Sequence, residues 1–227
     1  MKDLAAGSGN RVNDRLMTLN ELLLVSDADR NHDWENQFFD ELLKSKVTLV
    51  DEGPQVGPDK WPYLMVETNE AADEPVVKIL HWLATKGIGL VVNPRKEYPD
   101  YVFPWGMIWN FKETGLFRLN QAPVIQGKVE LKNEQGLIVG EPHPKYLPDY
   151  VRGILKQFFM DQGLMMVKIV VLSQDGKHYD LAISVESLGN PPKHEHAGIL
   201  EALSWFLPTH YSLMLTSEKE VKGFIPL

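Results

Sequence analysis

The stretch Val167–Val185, VKIVVLSQDGKHYDLAISV, decides the fold. Val167, Ile169 and Val171 alternate into Gln174-Asp175-Gly176, and Tyr179, Leu181, Ile183 and Val185 alternate out of it. A period of two on either side of Asp-Gly predicts an antiparallel hairpin, because successive side chains of a strand face opposite ways. Such a hairpin has an apolar face that needs a cover. Upstream, a helix opens after Pro148, carries Val151, Ile154, Leu155, Phe158 and Phe159 on one face, and meets Gly163 where a left-handed C-terminal cap belongs. Downstream, Ile199, Leu200, Leu203, Phe206 and Leu207 form a second helical stripe ending at Pro208, and Tyr211, Leu213 and Leu215 alternate in a last strand. The order is helix, strand, strand, helix, strand.

The same order describes Trp34 to Val92. Trp34, Phe38, Phe39, Leu42 and Leu43 recur at helical spacing. Val47–Val50 and Tyr63–Val66 read as strands joined by the acidic loop EGPQVGPDKWP of residues 52–62. Asp73 and Pro75 open a helix with Val76, Ile79, Leu80 and Leu83 on one face, Gly87 stops it, and Ile88–Val92 is a strand. The repeated order suggests an internal duplication. The expected fold is α+β, two tandem small antiparallel sheets, each backed by helices in an αββαβ order. The expected divisions are a flexible leader over 1–29, a domain over 30–126, a connector over 127–146 and a second domain over 147–227.

Between the two repeats lies YPDYVFPWGMIWNF, residues 98–111, where Tyr101, Phe103, Trp105, Met107, Trp109 and Phe111 all occupy odd positions. Read as extended chain bent at Pro104 and Gly106, it would put these aromatics on one side. That side is either a half-buried core face or, if exposed, a surface for stacking a ligand or anchoring a partner. Tyr101, Phe103, Trp105 and Trp109 are the candidate partner- or ligand-binding residues, with Trp105 beside the bend the one expected to escape the core. The loop Asp51–Asp59, with Trp61 after it, is either a recognition loop or a solvated connector. Residues 121–145, with Gly127, Gly136, Gly140, Pro142 and Pro144, read as a connector holding one or two strands.

Composition narrows the partners. The 227 residues carry 31 acids against 23 bases, a net charge of -8, which repels phosphate backbones and anionic lipid. Neither nucleic acid nor membrane is an expected partner. No apolar run approaches the roughly 20 residues of a bilayer span, and Met1–Asn10 lacks the apolar stretch of a signal peptide. The chain has no Cys, which removes disulfides, thiolate metal sites and cysteine nucleophiles and fits a reducing cytoplasm.

Catalytic spacing is absent. There is no G-x-S-x-G, H-E-x-x-H, P-loop or EF-hand pattern, and Gly87-Ile88-Gly89 lacks the third glycine of a phosphate-binding turn. His194-Glu195-His196 is the one histidine cluster; on an extended loop it would aim two imidazoles one way, but no third ligand accompanies it. No catalytic residue, metal site or cofactor is assigned.

Phe38-Phe39-Asp40-Glu41-Leu42-Leu43-Lys44-Ser45-Lys46-Val47 resembles the opening helix and strand of the bacterial SseB, or enhanced serine sensitivity, proteins. Gly89-Leu90-Val91-Val92-Asn93-Pro94 is similar to a strand of that family's N-terminal domain. Gly140-Glu141-Pro142 and the Tyr150–Phe159 helix are similar to the entry into its C-terminal domain. The resemblance implies a bacterial cytoplasmic protein with both domains, in a family without an agreed reaction or catalytic residues. The expected function is therefore a non-enzymatic binding or regulatory protein that engages a protein partner through a sheet face or its flanking loops, with homo-oligomers open. The alternative is an enzyme or binder of an amino-acid-related metabolite, with a pocket between the two domains.

Overall fold

The computed structural model describes residues 16–69, 71–118 and 136–227. The chain divides into two compact units, Met1–Ser45 and Lys46–Leu227. Residues 1–15 of the expected leader and 127–135 of the expected connector lie outside the described residues.

In the first unit, α1 (Leu19–Leu23) and a 3-10 turn (Asp27–Asp29) precede α2 (His32–Leu43). The part of the expected leader that is described thus contains a helix. Its cause is a capping box: Glu21 N–H donates to Thr18 Oγ1, and Thr18 N–H donates back to Glu21 Oε2 at 2.8 Å. Asn31 caps α2 by accepting from Trp34 N–H at 3.0 Å. Trp34 then ties the two helices, donating from Nε1 to Leu22 O at 2.9 Å and stacking on Phe38 with ring centroids 4.9 Å apart.

The second unit runs β1 (Lys46–Leu49), β2 (Gln55–Val56), β3 (Pro62–Glu67), β4 (Glu74–Pro75), α3 (Val76–Lys86), β5 (Gly89–Val92), β6 (Tyr101–Phe103) and α4 (Trp105–Thr114). It continues with β7 (Ile138–Gly140), α5 (Asp149–Asp161), β8 (Lys168–Ser173), β9 (Asp180–Ser184), α6 (His196–Ser204), β10 (Ser212–Thr216) and β11 (Ile225–Pro226). One sheet has the order β4-β1-β3-β5-β6, with β2 beside β3; the other has the order β10-β9-β8-β11, with β7 also beside β8. The fold is α+β, with helices backing both sheets.

The sheets are mixed, which corrects the expectation of antiparallel ones. Each holds one parallel pair, β3 with β5 and β9 with β10, among antiparallel ones that include β1 with β3 and β8 with β9. The reason is the intervening helix: α3 and α6 carry the chain back along the sheet, so the next neighbouring strand runs the same way. The predicted hairpin is present, with Ile169 opposite Ile183. Its turn spans residues 174–179 instead of two residues, because Asp175 Oδ1 accepts both Lys177 N–H and His178 N–H at 2.8 Å.

The aromatic stretch is mostly helix. Pro104 precedes α4 and Gly115 ends it at φ +77°, a left-handed cap. Every residue from Trp105 to Phe111 is buried, so this part of α4 is covered on all sides and the odd-numbered spacing of its large rings carries no strand signal.

One core joins the two sheets. Trp61, just before β3, stacks on Trp105 at 5.9 Å and on Phe206, after α6, at 4.1 Å, and meets Phe158 of α5 at 4.9 Å. Trp105 stacks on Trp109 at 5.7 Å, and Trp109 meets Tyr211 at 5.2 Å. Trp105 Nε1 donates to Ala84 O at 2.9 Å, satisfying a carbonyl at the end of α3. Where α4 meets the far half, Gly106 lies against the backbone of Leu207, and a Cβ there would be closer than real atoms approach. Gly106→Ala is expected to lower stability by about 1–3 kcal/mol through overpacking, read from the urea midpoint; an unchanged midpoint would show that the two segments part freely.

Candidate functional site

A cleft opens where one face of the first sheet is incompletely covered. The register places Met65 opposite Val91 and Val91 opposite Val102, and Tyr63 shares their face by the period of two. Leu64, Leu90 and Phe103 face the other way. The opposing wall comes from Phe158 and Gln162 at the end of α5 and from Gly198, Glu201, Ala202, Trp205 and Phe206 along and after α6. The open cleft has a volume of about 880 Å³.

The rim is a fixed loop. Gly57 N–H donates to Trp61 O at 2.8 Å, Lys60 N–H to Gly57 O at 2.9 Å, and Lys60 takes a left-handed φ of 67° to close the turn. Asp59 Oδ1 accepts from Trp61 N–H at 3.0 Å and Oδ2 from the Tyr63 hydroxyl at 2.6 Å. Burial, reinforced by the Asp59 carboxylate, pushes the Tyr63 phenol well above its usual range, so it stays a neutral donor. The carboxylate and the phenol serve each other, and apart from Lys60, Gln162 and Glu201 the lining is apolar or glycine. A smaller recess of about 320 Å³ shares Lys60, Phe158 and Gln162 with the cleft. Trp61 lines it, and its Nε1, in an almost fully buried side chain, has no hydrogen-bond partner among the described residues.

The four candidate aromatics do not form a surface. Phe103, Trp105 and Trp109 are buried and Tyr101 is half-buried, so the exposed reading of this stretch gives way to the core one. Trp105, expected to escape the core, is fully covered. Trp61, expected on a loop, is buried too, while the loop before it supplies the cleft rim. An exposed aromatic beside the cleft is Trp205, 51% accessible, which is not among the candidates read from the sequence. A signal was available: Trp205 falls off the stripe of Ile199, Leu200, Leu203, Phe206 and Leu207 that buries α6, and a large ring off the buried stripe is a candidate contact.

Two polar networks stand at the C-terminal ends of the parallel pairs. After β5, Asn93 takes φ 54°, accepts Thr68 N–H at 2.8 Å and donates to Asp100 Oδ2 at 2.7 Å, which also meets Lys96 Nζ at 2.6 Å. After β9 and β10, Ser184 donates to Glu218 at 2.8 Å, Lys168 Nζ donates to the same carboxylate at 2.9 Å, and Ser217 donates to Glu186. Ser184 Oγ also accepts Ser187 N–H at 3.0 Å. Its hydroxyl donates to a carboxylate and accepts from a backbone amide, which braces the turn after β9.

His194 and His196 stand in a 3-10 turn and at the start of α6, so their i, i+2 spacing does not aim them together; His196 Nε2 lies 3.0 Å from Pro191 O. Among the described residues no group of His, Cys, Asp and Glu is gathered to hold a metal ion, and no helix is long and apolar enough to cross a membrane. Comparison of the chain with family models, with curated proteins and with solved structures finds no match.

The second network makes stability depend on acid. The Ser217 hydroxyl and the Glu218 N–H hold the Glu186 carboxyl down to about 2 from its ordinary 4.5, and Lys168 with Ser184 lowers Glu218. Both folded-state values lie below the unfolded ones, so their contribution is complete above the unfolded value and is lost as pH falls through the folded one. Urea midpoints should therefore drop as pH falls from 4.5 toward about 2. Glu186→Gln should flatten that drop, and parallel profiles for the two proteins would contradict the assignment.

Proposed function

We propose that this chain is a non-enzymatic, cytoplasmic binding or regulatory protein of the SseB type that takes an apolar anchor side chain of a protein partner into the cleft between the β3-β5-β6 face and α6. The observation that carries the reading is the cleft itself: a largely apolar recess of about 880 Å³ in which Asp59 and the Tyr63 phenol are bonded to each other and Lys60, Gln162 and Glu201 supply the remaining polar groups. Such a surface rewards burial of apolar area, at roughly 25 cal/mol per Å². It offers no free base beside a nucleophile with which to begin a reaction. Trp205 at the mouth is the aromatic that partner hot spots favour. The segments Phe38–Val47, Gly89–Pro94 and Gly140–Pro142 support the SseB assignment, and the net charge of -8 supports a protein partner over nucleic acid or membrane.

A second reading is a small amino-acid-related ligand in the same place, favoured by a volume within the roughly 300–1,000 Å³ of small-molecule sites. A ligand at 100 times its dissociation constant adds about 2.7 kcal/mol to stability, so a thermal-shift panel of amino acids and their derivatives separates the two.

For the first reading, short peptides selected on the protein should share an aromatic or aliphatic anchor. Ala202→Arg, an exposed change that fills the cleft, should weaken them by about 2 kcal/mol, roughly thirtyfold in Kd, with circular dichroism unchanged. Selected peptides without an apolar consensus, or with equal affinity for Ala202→Arg, would refute it.

A further inference from the structure

Sheet edges invite pairing unless they are short or carry proline or charge. Four of the described strands at the sheet margins are blunted in that way: β4 and β11 have two residues each, with Pro75 and Pro226, β6 has three and stops at Pro104, and β7 has three and ends at Gly140. The exception is β10, Ser212-Leu213-Met214-Leu215-Thr216, five residues with neither proline nor charge. Among the described residues no strand adjoins its outer edge.

The direction of its backbone groups follows from the register. Thr216 lies opposite Ser184, and Val185 N–H donates to Thr216 O at 3.0 Å. In a parallel ladder the residue that accepts from one side of its opposite number donates to the other side, and residues alternate in direction. Ser212, Met214 and Thr216 therefore turn toward β9, while Leu213 and Leu215 present N–H and C=O to the open edge.

This edge is self-complementary. We infer that β10 pairs with β10 of a second copy of this chain, antiparallel, about a two-fold axis passing by Met214. In that register Leu213 lies opposite Leu215 of the second copy, and the two exchange both N–H···O=C bonds, since these are the residues whose groups point outward. Met214 faces Met214 in the non-hydrogen-bonded position, where Cα atoms approach to about 4.5 Å, and Ser212 faces Thr216, a favourable cross-strand pair. The axis is perpendicular to the sheet, so the second sheets of both copies become one continuous sheet with their α6 helices on the same side. A closed two-fold uses the edge of each copy and leaves none for further growth.

Sedimentation velocity over a wide concentration series tests this. The wild-type protein should pass from the mass of one chain to that of two and no further. Met214→Glu and Met214→Lys place like charges opposite each other and should each stay at one chain, while an equimolar mixture of the two should restore the mass of two. In the wild-type protein, exchange of the Leu213 and Leu215 amides should slow as concentration rises, with that of Met214, bonded to β9, unchanged; this readout holds even if a variant folds poorly. A wild-type protein of one-chain mass throughout, a dimer that survives both charged variants, or Leu213 and Leu215 exchange independent of concentration would overturn the inference.

Discussion

The stacking of Trp61 between Trp105 and Phe206 is the interaction on which the second unit turns. Trp61 immediately precedes a central strand of the first sheet, Trp105 opens the helix behind that sheet, and Phe206 closes the helix of the second. Removing a buried ring of this size costs about 3–5 kcal/mol. The unpartnered Trp61 Nε1 costs about 1–3 kcal/mol in return. Packing wins, and the residue belongs to the core at a net gain. The same stack sets how closely α5 and α6 approach the first sheet, and the cleft is the space left beyond it, over Val91, where Met65 and Val102 remain partly uncovered.

Topology explains why such a space exists. In each sheet a helix connects the two strands of the parallel pair, so one helical crossover covers one face. The opposite face of the first sheet is covered by elements of the other half of the unit. The Asp59–Tyr63 bond then ties the rim loop to β3 at the mouth of this opening.

Local signals in the sequence were strong where one face of an element is buried. The stripes of α2, α3, α5 and α6 and the alternation of β8 and β9 follow from a single apolar side, and the repeated αββαβ order could be read from them. Strand direction could not, because periodicity records which side is buried and not which neighbour is paired; both parallel pairs were missed for that reason. The residues Trp105 to Phe111 misled because a helix buried on every side has no periodicity to offer, and bulky residues at odd positions then imitate a strand. The cleft was illegible as a whole, since Met65, Val102 and Ala202 are ordinary residues that matter only by being brought together, yet Trp205 off its helix stripe could have been noticed.

The aromatic core makes Lys46–Leu227 fold as one cooperative unit. Native-state hydrogen exchange in increasing denaturant tests it directly, by following the slowest amides of β3 and β5 beside those of β8 and β9 in the intact protein. The claim requires both sets to converge on one opening free energy and one denaturant dependence. Two distinct openings, with one sheet exchanging while the other stays protected, would contradict it.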